Sequence, residues 1–227
     1  RWMGSVLELV KSCLCLIAVL TLSACGSPLG SIAQAALDRE DASGPNVPTV
    51  NRAAVEQADL AVIIVKAPAV GIATVTVAIQ QRADLIVYSS NENRGVVMHG
   101  GLVYATLGFG TNLQAVITQQ GDPLVANLRP AAWPEQTMRR YQIAQRGVNF
   151  DEITANCSVQ VGAVQVIDVA GLDREVAPIK ETCQTDGDLE FENVHFVDTA
   201  TGQVWRSAQW TGPMQGILQI DIVEQFE

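Results

Sequence analysis

The sequence predicts a mainly β protein, an antiparallel meander that closes into a barrel-like or sandwich domain with one or two short helices. Three observations carry that expectation. Runs rich in Val, Ile and Thr alternate with a period of two, as half-covered strands require. Gly and Asn interrupt them at intervals too short for helical crossovers, as at Asn91-Glu92-Asn93-Arg94-Gly95 and Gly100-Gly101. No heptad or internal repeat is visible, and with aromatics at only 5% the core has to be aliphatic.

The chain opens on Lys11, the apolar run Cys13 to Leu20, and Leu22-Ser23-Ala24-Cys25. A basic residue, a short apolar core and small residues before a cut form a secretory signal. The run is about half the ~20 residues of a spanning helix. A cysteine directly after Leu-Ser-Ala is a bacterial lipobox. Its thiol is alkylated by a diacylglycerol before cleavage, and two or more chains such as palmitate give stable anchoring. The expected organisation is therefore a signal over residues 1–24, a flexible tether over 25–50 and a single β-rich periplasmic domain over 51–227. Gly, Ser, Pro, Ala and charged residues make up the tether.

Within the domain, Asn51 caps a short helix through Ala58. Leu60 to Val65 is an unbroken apolar strand covered on both faces. In the next strand Val75, Val77 and Ile79 share one side, and Thr74, Thr76 and Gln80 the other. Leu85 to Tyr88, Val96 to Met98 and Leu102 to Thr106 continue the meander, which Gly108-Phe109-Gly110 ends. Residues 112–119 read as a short helix, and 121–134, with three prolines, as loop. Met138 to Gln145 has both strand and helix spacings; the strand reading pairs it with Ile153 to Val166 across Gly147-Val148-Asn149. Leu189 and Phe191 alternate in one parity and Val194 and Phe196 in the other, which predicts a bulge near Glu192-Asn193. Asp198 to Gly202 turns into a strand over Gln203 to Trp210, and Leu218, Ile220 and Ile222 mark the closing strand.

Charge and cysteines bound the function. The formal charge is −10, and removing residues 1–24 with Arg1, Lys11 and Glu8 leaves −11. Such a body repels nucleic acid and anionic headgroups. Cys13 and Cys15 leave with the signal and Cys25 takes the lipid. Cys157 and Cys183 then form, most simply, a disulfide. Two separate thiols or a metal pair are the alternatives, and metal is disfavoured because the chain holds only two histidines, His99 and His195. Neither histidine stands in a nucleophile elbow, no Gly-x-Ser-x-Gly occurs, and both read as strand residues, so no catalytic group is assigned. Gly108-Phe109-Gly110 lacks the third glycine of a phosphate loop. Asp186-Gly187-Asp188 with Glu190 and Glu192 has an incomplete calcium spacing and reads as an acidic hairpin. Trp205 and Trp210 bracket Arg206 and have opposite parity. One ring belongs to the core, and the other is a candidate stacking surface for sugars or a protein partner.

Two stretches resemble a known family. Val97-Met98-His99-Gly100-Gly101-Leu102-Val103-Tyr104-Ala105-Thr106-Leu107-Gly108, followed by Thr111-Asn112-Leu113, is similar to a signature of the YjbF/GfcB family, the group 4 capsule polysaccharide lipoproteins. So is Phe196 to Trp210, with its turn, Val-Trp-Arg-Ser and Gln-Trp in order. The resemblance implies a β-rich outer-membrane lipoprotein on the periplasmic face, a non-enzymatic accessory in exopolysaccharide or capsule secretion. No cofactor is expected, and the partners expected are the membrane through the lipid and exopolysaccharide or outer-membrane export proteins; the possible binding residues, from the aromatic pair itself, are Trp205, Arg206 and Trp210. Gly26 is compatible with the outer membrane of a Gram-negative envelope. A second reading is a periplasmic carrier holding a lipid or lipid-linked sugar inside a β-barrel.

Overall fold

The computed structural model describes residues 49–145 and 149–225. The lipobox with Cys25, the signal, the tether up to residue 48, and Gly147-Val148 of one expected turn lie outside them. Among the described residues one α-helix precedes the strands. In α1 (Arg52–Ala58), Asn51 Oδ1 accepts from Ala54 N at 3.3 Å, and a left-handed Asp59 ends the helix.

Strands β1 (Val62–Ala67), β2 (Ile72–Arg82), β3 (Leu85–Ser89), β4 (Gly95–His99), β5 (Leu102–Leu107) and β6 (Leu113–Thr118) are followed by β7 (Gln136–Ala144), β8 (Phe150–Val161) and β9 (Gln165–Val169). Then come β10 (Leu172–Thr185), β11 (Glu190–Asp198), β12 (Val204–Trp210) and β13 (Ile217–Glu224). Twelve of them lie side by side in the order β5-β4-β3-β2-β1-β13-β12-β11-β10-β8-β7-β6, every pairing antiparallel, while β9 pairs with β10 off this path. The result is a nearly closed barrel, in which β1 and β13, the two ends of the domain, are ladder partners.

The seam runs between β5 and β6, where side chains replace a backbone ladder. Leu113 N donates to Thr106 Oγ1 at 3.0 Å. On the edge of β5, Val103 N donates to Gln209 Oε1 at 3.0 Å, and Gln209 Nε2 donates to the Gly101 carbonyl at 2.9 Å. A glutamine carboxamide has the same donor and acceptor as a peptide group, so one side chain from β12 satisfies an edge that no strand covers.

Three local expectations are corrected. Residues 113–118 form β6 rather than a helix. A register shift between Leu113 and Ala115 places the buried Leu113 and Val116 three residues apart, which imitates helical spacing. The expected bulge at Glu192-Asn193 is absent: β11 stays in register with β10 from Glu190 to Asp198. Asn193 and His195 continue the inward row of Phe191 and Val197, while Val194 and Phe196 point outward and are buried as well. The shift in this part of the sheet lies between Phe196 and Val197, opposite β12. The strand expected over Ile153 to Val166 is two strands that part at Gly162.

Strand β10 is one that no sequence pattern announces. It takes β9 as neighbour up to Val176 and β8 from Ile179 onward. Pro178 falls at that exchange. Its carbonyl accepts from Gly162 N at 2.7 Å, so its missing N–H faces the junction between the two neighbours, the place in a ladder where a proline is tolerated.

Residues 119–135 fold back into one end of the barrel, with Leu124 buried. Two glycines make room. A Cβ on Gly101 would stand 2.3 Å from Val204 Cγ2, and one on Gly202 would stand 1.9 Å from the Asn127 carbonyl oxygen. The hairpin of β9 with the first part of β10, together with α1, covers part of the barrel's outer surface. There Val62, Ile64 and Val223 pack with Val50, Val55, Val75, Val77 and Ala170.

Candidate functional site

Chemistry-bearing groups gather inside the barrel. On β7 the inward row is Thr137, Arg139, Tyr141 and Ile143; on β10 it includes Ile179, Glu181 and Cys183; on β11 it includes Asn193 and His195. Register places Glu181 directly opposite Asn193, and Ile179 opposite His195. The long loop adds Asp122 and Trp133.

Arg139 is the centre of this cluster. Its Nη1 donates to both oxygens of Glu181 at 2.8 and 2.7 Å, and its Nε to Asp122 Oδ2 at 2.8 Å. Glu181 accepts in addition from Thr137 Oγ1 at 2.7 Å and Asn193 Nδ2 at 3.1 Å. His195 Nε2 stands 3.1 Å from Glu181 Oε2, and since an ionised carboxylate only accepts, that nitrogen carries the hydrogen. His195 Nδ1 finds no hydrogen-bond partner, and the Trp133 ring lies 5.7 Å from the imidazole. Asp122 also caps its own loop by accepting from Leu124 N at 3.0 Å.

Electrostatics follow from the contacts. Burial opposes the charge on Glu181, but Arg139, and after it His195, outweigh burial and hold its carboxyl well below the usual range. Burial likewise opposes the charge on Arg139, and Glu181 and Asp122 outweigh it, so the guanidinium stays protonated. Tyr141, beside the cluster, is pushed up to about 12 by burial. Every lone pair of Glu181 facing the cluster is engaged and both its oxygens are sealed from solvent. What this arrangement does chemically is to fasten the loop to β7, β10 and β11. Its carboxylates are sealed from solvent by their own partners.

The residues singled out in the sequence serve the fold. Cys157 and Cys183 are register partners on β8 and β10 and are joined as a disulfide. Trp205 and Trp210 are only 9% and 6% exposed, so the expected open aromatic ring is absent. Trp205 lies outside the barrel wall under the Arg174 guanidinium, 3.7 Å from the ring centre, and its indole N–H donates to Asp198 Oδ2 at 3.2 Å. Burial pushes the Asp198 carboxyl up, but that indole and the amides of Thr201 and Ala200 outweigh it and hold the group below its ordinary value. Arg206 is paired with Asp221 and donates to the Asp168 carbonyl at 3.1 Å, which pins the β9 hairpin to the wall. Trp210 stacks on Phe191 at 4.4 Å and meets Tyr141 edge-on.

His99 ends β4 with the Tyr104 ring edge-on to it at 6.4 Å, far along the sheet from His195. In the acidic hairpin, Glu192 pairs with Lys180. Among the described residues no group of three or more metal-ligating side chains forms. The charged interior also bears on the carrier reading, because this sector holds an ion cluster where an acyl chain would need an apolar lining.

The sequence reading missed Asp122, Arg139, Glu181 and Asn193. The signal available was parity: Glu181 lies two residues before Cys183 and Arg139 two before Tyr141, both on inward rows.

Comparison with known proteins gives one family and one fold. The family described as group 4 capsule polysaccharide lipoprotein gfcB, YjbF, matches residues 33–223. The crystal structure of the hypothetical lipoprotein YmcC from Escherichia coli (K12) is similar, with a TM-score of 0.68 at 17% identity, covering 87% of this chain and 95% of that one. A search of curated proteins gives no match.

Proposed function

The chain belongs to the YjbF family of group 4 capsule polysaccharide lipoproteins, and from that premise we propose that it is a lipid-anchored accessory of exopolysaccharide or capsule secretion, acting by binding rather than catalysis. The family match over residues 33–223 is the observation that carries this reading. On this reading Cys25 bears the acyl chains, residues 26–48 are the tether, and Gly26 is compatible with the outer membrane, where the barrel would face the periplasm. Its partners are the polymer or the outer-membrane proteins that export it. Support for binding over chemistry comes from the barrel interior, where Arg139, Glu181 and Asp122 are saturated by one another and reach no solvent.

The test is genetic and chemical together. Deleting the chain should lower the polymer released by the cells, and the wild-type sequence should restore it. Cys25→Ala should restore much less and leave the protein in the soluble fraction of the envelope. Unchanged polymer release after deletion would refute the role, and a wild-type amino terminus free of lipid by mass spectrometry would refute the anchor.

A further inference from the structure

Strands β2 to β5 present an apolar surface to the outside of the barrel. On β2 the threonines point inward: Thr76 pairs with Ile63 and Thr74 with Val65, all buried. Val75, Val77 and Ile79 therefore face out; Val75 and Val77 pack in the cluster with α1 and Ala170, and Ile79 stands outside that cluster. Between β2 and β3 the outward partners are Val77 with Ser89 and Gln80 with Val87, and the aliphatic row then continues with Val87 opposite Val97 and Val97 opposite Ala105, with Leu107 at the far edge. Ile79, the extra residue at a register shift between β2 and β3, is 66% exposed, and Leu107 is 57% exposed. An outward face of aliphatic side chains on adjoining strands is unusual for a surface meeting only water.

Charge distinguishes this face from the rest of the molecule. None of β2, β3, β4 and β5 contains an aspartate or glutamate. Residues 60–118 carry Lys66, Arg82 and Arg94 against Asp84 and Glu92, a net +1. Residues 119–225 carry fifteen carboxylates against seven basic residues, a net −8. Next to an anionic bilayer the second part is repelled and the first is not. The chain also enters the domain beside this face, because Val50 and Val55 pack in one cluster with Val75 and Val77.

We propose that the outer face of β2 to β5 rests on the lipid surface to which the protein is anchored, with Ile79 and Leu107 reaching the boundary between headgroups and acyl chains. The inference rests on the lipid-anchor reading given above. A lipid chain fixes the protein to a membrane but leaves its orientation free; an apolar, carboxylate-free face adjoining the tether selects one orientation and turns the acidic sector, with the β10–β11 hairpin, toward the periplasm.

The experiment uses the acylated full-length protein in vesicles of phosphatidylethanolamine and phosphatidylglycerol. An environment-sensitive label is placed by Ile79→Cys or Leu107→Cys, with Glu190→Cys on the acidic hairpin as reference. The labels at 79 and 107 should shift to the blue and be quenched by lipid-borne nitroxide several-fold more than the label at 190. Hydrogen exchange of the unlabelled protein should slow in β2 to β5 on vesicles, which keeps the result independent of any disturbance by the labels. Flotation with the vesicles together with equal quenching at all three sites would overturn the orientation and leave the anchor intact. Failure to float would overturn the anchor and this inference with it. Shielding of 79 and 107 without vesicles that grows with protein concentration would assign the face to a second copy, and shielding only in protein-containing envelopes would assign it to a protein partner. Either result would overturn contact with lipid.

Discussion

The two sectors of the barrel solve the same problem in opposite ways. From β1 to β5 the interior is uncharged, built from Ile63, Val65, Thr76, Val96 and Met98, and aliphatic side chains also stand outside. From β7 to β12 the interior holds Arg139, Glu181, Asn193 and His195, and the outside is acidic. Alternation along a strand tells that its two faces differ. It does not tell which face is inside, and here the inside is the more polar face in part of each sector. A barrel wall this wide cannot fill its interior with aliphatic side chains alone, so polar groups enter where they can bond one another.

The largest expected effect comes from breaking the charged interior. Arg139→Met leaves two buried carboxylates, Glu181 and Asp122, without their partner and should cost about 3–5 kcal/mol in urea denaturation, while Glu181→Gln leaves Arg139 paired with Asp122 and should cost less. Replacing Asp122, Arg139 and Glu181 together with uncharged residues should cost clearly less than the sum of the single changes, since no uncompensated charge then remains. The pH dependence has a definite sign. The Glu181 carboxyl is depressed on folding, so its stabilisation is complete above the unfolded value near 4.5 and is lost as pH falls below it. The unfolding free energies of wild type and Glu181→Gln, measured in urea at each pH, should therefore converge as pH drops. Parallel curves down to strongly acidic pH would contradict the assignment.

The disulfide comes next. Cys157 and Cys183 are 26 residues apart, and reduction or the double change to Ser should lower stability by about 3 kcal/mol on the chain-entropy view. The seam offers a smaller effect. Gln209→Leu keeps the volume but strands Val103 N and the Gly101 carbonyl, at about 1–3 kcal/mol, and should raise amide exchange in β5 before the rest of the barrel. Unchanged exchange in β5 would mean that water replaces the carboxamide without loss, and that the seam needs no closing group.

How much of this was legible in the sequence differs between the sectors for a physical reason. In β1 to β5 the turns at Asn91 to Gly95 and Gly100-Gly101, the cap at Asn51 and the strand lengths were all readable, because local conformation decides them. In β7 to β11 the pattern was misread where tertiary contacts override it. Glu181 and His195 look like surface residues until the partners that neutralise them, forty-two and fourteen residues away, are known. The apparent change of face at Glu192-Asn193 arose from treating Asn193 as an outside residue; its carboxamide is instead bonded to Glu181 and to Trp210 N at 2.8 Å. Trp205 and Arg206 were noticed for their chemistry, but their use in holding the β9 hairpin depends on Arg174, Asp198 and Asp221, which no spacing links to them.

The smallest expected effect sharpens the comparison most. Ile79 and Ile63 are the same residue type on neighbouring strands, one outside the wall and one inside it at 0% exposure. Ile63→Ala should cost about 2–5 kcal/mol, because it leaves a cavity among β-branched neighbours that cannot collapse. Ile79→Gln removes a side chain already in contact with solvent and should change stability by no more than about 0.5 kcal/mol in the isolated protein. A loss above about 1 kcal/mol at that position would mean that the folded chain itself covers the face, and the aliphatic exterior of β2 to β5 would then be a second core. A near-zero value leaves an aliphatic side chain that folding does not require, on the strand whose Val75 and Val77 pack with Val50. The reason for an isoleucine there must then lie in what the protein touches rather than in how it holds together.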